Sequence, residues 1–169
     1  MSRAKPVAND TPKSSGFVPE ESIRKRIVAE ARQRFFSLGV RHVTMDELAY
    51  DLGMSKRTLY QYFRTKVDLV EAVFLDKFQN VEADLTHVSA ESSSDFLGAV
   101  NRLLSCIQGH MEELQPALVR DIRRDAPAIF SLVEKHRKEM IDRHLGKIFR
   151  EGCKAGVIRN DVPVKLIME

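Results

Sequence analysis

Residues Thr44 to Lys66, TMDELAYDLGMSKRTLYQYFRTK, read as two short helices joined at a glycine. Thr44 followed by Glu47 is a capping box, in which hydroxyl and carboxylate each satisfy a backbone N–H that the first helical turn leaves orphaned, so a helix starts at Met45. Its apolar positions Met45, Leu48, Ala49 and Leu52 share one face, and Gly53 supplies the left-handed residue that ends a helix at least cost. Ser55 then caps a second helix whose inward face is Leu59 and Phe63. Lys56, Arg57, Thr58, Tyr60, Gln61 and Tyr62 are left to point elsewhere.

That outer face is cationic, hydroxylic and aromatic. A helix in a DNA major groove needs these donors: lysine and arginine for phosphates or guanine edges, hydroxyls for phosphate oxygens, glutamine for adenine. An ordinary amphipathic hairpin with a solvated face has the same periodicity, so spacing alone leaves both readings open.

The extended stretch TMDELAYDLGMSKRTLYQYFRTKVDLVEAV resembles the DNA-binding signature of the TetR family of bacterial transcriptional regulators, T-x-x-x-[IL]-A-x-x-x-G-[VM]-S-x-x-T-[LI]-Y-x-[HY]-F-x-x-K-x-x-L. Every fixed position of the pattern is met without a gap, and the likeness runs from Ser22 to Phe78. The resemblance implies a DNA contact set of Thr44, Ser55, Lys56, Arg57, Thr58, Tyr60, Gln61, Tyr62 and Lys66. Lys56, Arg57, Thr58 and Gln61 are the candidates for base edges, while Tyr60, Tyr62 and Lys66 match positions that contact phosphates. Arg57 is the weakest of these, since many relatives carry a small residue there.

Charge distribution agrees with that reading. The net charge of the 169 residues is +3, but Met1 to Lys66 carries 13 Lys and Arg against 7 Asp and Glu, and Val67 to Glu169 carries 14 against 17. The basic part contains the hairpin, as phosphate binding requires, although a basic surface also serves solubility. A composition 43% hydrophobic and 30% charged suits one or two small helical domains. No apolar run approaches the ~20 residues of a membrane span, and no signal-peptide core is present, so the cytoplasm is the expected location. Cys106 and Cys153 lack C-x-x-C spacing, which argues against a zinc ribbon or disulfide scaffold.

Upstream, residues 1–19 mix Pro, Ser, Gly and Lys without an apolar face and read as a flexible arm, in which Arg3, Lys5 and Lys13 are available to brush DNA. From Glu20 to Leu38 a stripe of Ile23, Ile27, Ala31, Phe35 and Leu38 predicts a helix stopped by Gly39, which completes a three-helix head over residues 20–66. Arg24, Lys25 and Arg26 near its start are placed either to reach the phosphate backbone or to form a solvated basic face. Residues 67–169 form the expected helical regulatory and dimerisation domain. Its first helix runs from Lys66 to His87 behind a Thr65 cap, burying Leu69, Val70, Val73, Phe74, Phe78, Val81 and Leu85. After a serine-rich linker, Ser89 to Asp95, come helices over Asp95–Leu114, Pro116–Arg124 and Ala126–Ala155. Asp161-Val-Pro-Val resembles the start of one more. The fold class is all-α.

A ligand pocket in this body is expected from the helix faces carrying Phe96, Val100, Leu103, Ile107, Met111, Ile129, Phe130, Val133 and Met140, with Arg120 or Arg123 at hand for a carboxylate. Soft and aromatic side chains suit a small apolar or aromatic effector. A solid core is the competing reading for each residue. Cys106 and His110 are spaced for metal ligation but lack further ligands, and ordinary packing is the expectation, with no metal and no cofactor. His136 and His144, amid Arg137, Lys138 and Arg143, read as a solvated basic surface. The run Arg120-Asp121-Ile122-Arg123-Arg124-Asp125 reads as local ion pairs. No nucleophile, base and orienter constellation and no phosphate loop occurs, so the chain reads as no enzyme.

By resemblance, then, the chain is expected to bind double-stranded operator DNA as a homodimer, as a repressor ahead of the alternative of an activator, and to let go when an effector fills the body. Relatives continue through two further long helices that pair with a second subunit, so either the chain is a shortened member or the Ala126–Ala155 helix dimerises. Two other functions fit the same residues: a DNA-binding protein regulated only by a protein partner, and a helical interaction module without DNA binding. An apolar cavity of ~300 Å³ or more in the body separates the first from an effector-responsive regulator.

Overall fold

The computed structural model describes residues 19–90 and 95–159. Those residues form α1 (Glu20–Leu38), α2 (Met45–Asp51), α3 (Lys56–Tyr62), α4 (Lys66–Ala90), α5 (Phe96–Glu112), α6 (Pro116–Asp125) and α7 (Pro127–Lys154). No strand is present among them, and none of the described helices is long and apolar enough to cross a membrane. The N-terminal arm and the Asp161-Val-Pro-Val stretch lie outside the described residues.

Local signals set the boundaries of the head. Thr44 accepts from the Glu47 N–H while the Glu47 carboxylate accepts from the Thr44 N–H at 2.9 Å, the full capping box. The Ser55 hydroxyl caps α3 through the Thr58 N–H at 3.0 Å. Between them Gly53 takes φ +64°, and the Met54 N–H closes on the Ala49 carbonyl. At the start of α4, Thr65 Oγ1 accepts from the Asp68 N–H and the Asp68 carboxylate accepts from the Thr65 N–H, at 3.1 and 3.0 Å. Each arrangement satisfies backbone groups that a helix end would otherwise leave bare.

α4 is the axis of the molecule, packing on α1, α5 and α7. One buried cluster joins Ile27, Phe35, Leu48, Leu59 and Phe63 of the head to Leu69, Val73 and Phe74 of α4 and to Leu118 and Ile122 of α6. A second gathers Val81, Leu85, Ala99, Leu103 and Ile148 around the far half of α4. The apolar core therefore runs unbroken from the head through position 66, and α6 closes it from the other side.

Four expectations change. Leu38, assigned to the buried stripe of α1, is 49% exposed, because the last residue of the helix lies past its packing partners; Val28 and Phe36 are buried instead, since α1 is covered on a broader face than a single stripe. The linker begins later than Ser89: α4 continues to Ala90 and Ser89 is buried, bonded to the Thr86 carbonyl and to His144 Nδ1. The histidines of α7 are not a solvated surface. His144 is buried, its Nε2 3.2 Å from Glu82, and the His136 ring stacks on Phe78 at 4.6 Å between centroids. Finally, the acidic residues of α6 do more than pair locally, as described next.

Candidate functional site

α3 stands on a base clamped from beneath by α1. The Arg24 guanidinium lies 4.9 Å over the Phe63 ring, Arg26 donates to the Leu52 carbonyl, and Lys25 pairs with Glu21 at 3.7 Å. Of the basic trio near the start of α1, two side chains thus brace the helical hairpin and the third makes an i, i+4 pair along α1. Leu59 and Phe63 anchor α3 in the core, at 0% and 2% exposure. The opposite face is left clear: Lys56, Arg57, Tyr60 and Gln61 are exposed, and Thr58 and Tyr62 are half-buried. Lys56 pairs with Asp46 across the turn, while Arg57 and Gln61 have no polar partner among the described residues. Tyr62 packs against the core.

Thr44 and Ser55 are exposed at the two helix N-termini, their hydroxyls engaged in the caps. Lys66 is half-buried at the first turn of α4. Burial pushes its ammonium below the ordinary lysine range, and Asp121, Glu47 and Asp125 act in the opposite direction. The face as a whole presents unpaired cation and amide donors on a rigid helix, with a second cation at a neighbouring helix N-terminus, which is a chemistry for phosphates and base edges.

Two acidic residues hold the head to the body. Asp121 of α6 is buried and accepts the backbone N–H of Arg41 at 3.0 Å. Asp125, one turn on, takes the Arg41 guanidinium at 2.8 Å. The loop between α1 and α2 is thereby tied to α6. Gly39 fits this junction closely: its φ is +83°, and a Cβ there would lie 2.8 Å from the Asp121 carboxylate. Nothing local in the α6 sequence signals that its carboxylates serve a backbone N–H far along the chain.

Between α4, α5, α6 and α7 lies a cavity of about 330 Å³ with largely apolar walls. Of the sequence-predicted pocket residues, Ile107, Met111, Phe130, Val133 and Met140 line it, joined by Phe74, Phe78, Val81, Val119 and Ile122. Phe96, Val100, Leu103, Ile129 and Arg120 do not. Leu103 is wholly buried and Val100 packs on the second cluster, Phe96 meets Phe149 edge-on and covers Gly152, Ile129 belongs to the first cluster, and Arg120 is exposed. Arg123 lies 5.6 Å over the Phe130 ring, outside the cavity wall. The face of α5 toward α4 and α7 is divided along its length: its N-terminal half fills core and its C-terminal half borders space.

Sequence reasoning gave no place in the pocket to Lys77, Glu134 or Arg137, and weighed His110 only as a metal ligand beside Cys106; these four are polar groups of that wall. For Lys77 a signal was present, because it falls in register with Phe74 and Val81 on the buried stripe of α4. Cys106 and His110 form no metal cluster: among the described residues no group of three ligands is gathered. Burial raises the Cys106 thiol above its ordinary range.

Residues 27–73 match the family model for bacterial regulatory proteins of the TetR family. The chain is 36% identical over 107 residues to YvaF of Bacillus subtilis, described as an uncharacterised HTH-type transcriptional regulator; the match takes in 59% of this chain and 52% of that protein. It is 30% identical over 66 residues to the HTH-type transcriptional regulator SrpR of Pseudomonas putida, covering 39% and 31%. The chain thus spans about half, or less, of the length of the curated relatives it matches. Among solved structures it is similar to the TetR family transcriptional regulator PfmR of Thermus thermophilus, with a TM-score of 0.63 at 26% identity over 83% of this chain and 77% of that one. A transcriptional regulator of Cytophaga hutchinsonii shares the fold, with a TM-score of 0.69 at 23% identity over 80% and 69%.

Proposed function

From the match of residues 27–73 to the TetR family of bacterial regulatory proteins, we propose that this chain is a member of that family and a ligand-responsive transcriptional repressor, binding operator DNA as a homodimer. The single observation that carries the DNA-binding part is the exposed face of α3, where Arg57 and Gln61 stand without polar partners on a helix seated by Leu59 and Phe63. Lys56, Arg57, Thr58 and Gln61 address base edges, and Tyr60, Tyr62 and Lys66 address phosphates.

The 330 Å³ cavity supports the effector. It lies at the small end of the ~300–1,000 Å³ range of ligand pockets, which suits a compact molecule. A body that merely docked a protein partner has no need of such a space. Coupling follows from shared elements: α4 lines the cavity and begins at Lys66, and α6 lines it with Val119 and Ile122 while Asp121 and Asp125 hold the head. A ligand that fits only one arrangement of α4 and α6 selects one orientation of the head. In a dimer, a small tilt of each head alters the spacing of two recognition helices that must meet major grooves about 34 Å apart.

The test is operator selection from a random duplex pool, followed by fluorescence anisotropy at two salt concentrations. Specific binding with a steep salt slope is expected. Absence of duplex binding at low salt refutes the DNA-binding role. Compounds that raise the melting temperature must then also release operator DNA, since equal affinity for both states shifts nothing.

A further inference from the structure

The apolar cavity has one polar end. Lys77 lies on α4 between Phe74 and Val81, is 5% exposed, and borders the cavity. On its other side it borders a polar recess together with Arg32, Asp84, His110 and Glu113. His110 also faces both spaces. Chamber and recess therefore adjoin at these two side chains.

An ammonium has three N–H donors. One of Lys77's meets His110 Nδ1 at 3.0 Å, a second goes to the Glu113 carboxylate, and the third has no partner among the described residues. His110 Nε2 is 3.0 Å from Asp84, so a neutral ring carrying its proton there donates to Asp84 and accepts from Lys77. A buried ammonium needs an anion beside it. The anion it has comes from the rim: Glu113 is the C-cap of α5, its side chain is 51% exposed, and Lys77 is that side chain's one hydrogen-bond partner among the described residues.

We propose that this polar end is a carboxylate-binding site, and that the effector is a compact amphipathic monocarboxylate whose apolar body fills the cavity while its carboxylate replaces Glu113 on Lys77. The assignment rests on the effector reading above and names the ligand class. Of the other carboxylates bordering the two spaces, Glu134 is paired with Arg137 at 2.8 Å and Asp84 lies 3.0 Å from His110 Nε2. Arg32 belongs to α1, so the ligand's charge arrives beside the DNA-binding head.

Calorimetric titration of the full chain with decanoate, 1-decanol and decylamine, each kept below its aggregation limit, tests this. Decanoate is expected to bind about tenfold or more tightly than decanol, with decylamine weakest, as a charge-assisted hydrogen bond in a buried site implies. Lys77→Met keeps the apolar bulk and should erase the preference for decanoate over decanol. Glu113→Gln removes the competing carboxylate from an exposed position and should tighten decanoate several-fold while leaving decanol unchanged. Equal affinity of decanol and decanoate for the wild type overturns the carboxylate site and leaves the cavity as an effector site. So does a Glu113→Gln variant that binds decanoate as the wild type does. Failure of all three probes to bind overturns both readings.

Discussion

Asp121→Ala removes a buried carboxylate that holds the backbone of the head. The wild-type side chain, 8% exposed, accepts the Arg41 N–H at 3.0 Å. Truncation deletes one charge-assisted hydrogen bond and leaves a part-buried donor without its acceptor, each effect pointing the same way. Hydrogen bonds to charged groups contribute about 1.5–3 kcal/mol, so the loss should fall in that range. The same loop carries a second contact, Arg41 to Asp125, between side chains 48% and 40% exposed. Solvent screening reduces an exposed pair of that kind to about 1 kcal/mol or less. Urea unfolding of the full chain should therefore rank Asp121→Ala well above Arg41→Ala, since the latter keeps the backbone N–H. Asp121→Asn, which keeps an acceptor but no charge, should lie between them. The variant should also separate ligand from DNA: with α6 untied, an effector that stabilises the body should release operator less completely. Arg41→Ala costing as much as Asp121→Ala would refute the claim that the buried backbone bond dominates this junction.

Other outcomes follow from the same structure. Gly53→Ala should cost about 1–2 kcal/mol of head stability, read by thermal melting, because φ +64° strains an L-residue while nothing lies within 4 Å of the added Cβ; a clash-sized loss would point to a different turn geometry. Arg57→Ala should relax operator preference at one position by ~1–3 kcal/mol, whereas Lys66→Ala should weaken all sequences alike and flatten the salt slope by about one; unchanged preference in Arg57→Ala would remove it from the base contacts. The hydrogen bond from Lys77 holds the Glu113 carboxyl below its ordinary value of 4.5. A lowered folded pKa gives stability that is complete above the ordinary value and lost as pH falls through the lowered one. Wild type should thus exceed Glu113→Gln in urea midpoint near pH 6, and the gap should narrow as pH falls below the ordinary carboxylate range; a constant gap would exclude the ion pair as its source.

What the chain declared in one dimension is what a turn or two of helix can encode. Thr44 with Glu47, Ser55 with Thr58, and Gly53 at positive φ act over three or four residues, so their pattern specifies the helical hairpin wherever it occurs. The stripe of α4 likewise follows from periodicity alone, and it buries Leu69, Val73, Val81 and Leu85. The same periodicity says that a face is covered without saying by what. Leu103 and Ile107 lie one turn apart on α5, yet Leu103 is sealed in the core and Ile107 borders the cavity, a difference that depends on the residues of α4 and α7 facing each turn. Residues whose partners are distant stayed hidden for the same reason. Asp121 finds the Arg41 N–H 80 positions away, Lys77 finds Glu113 at 36, and His144 finds Ser89 at 55. A carboxylate, an ammonium or an imidazole is ordinary surface chemistry in sequence, and only the packing of α4 against α5 and α7 and of α6 against α1 takes water away and makes each of them depend on the few partners it meets.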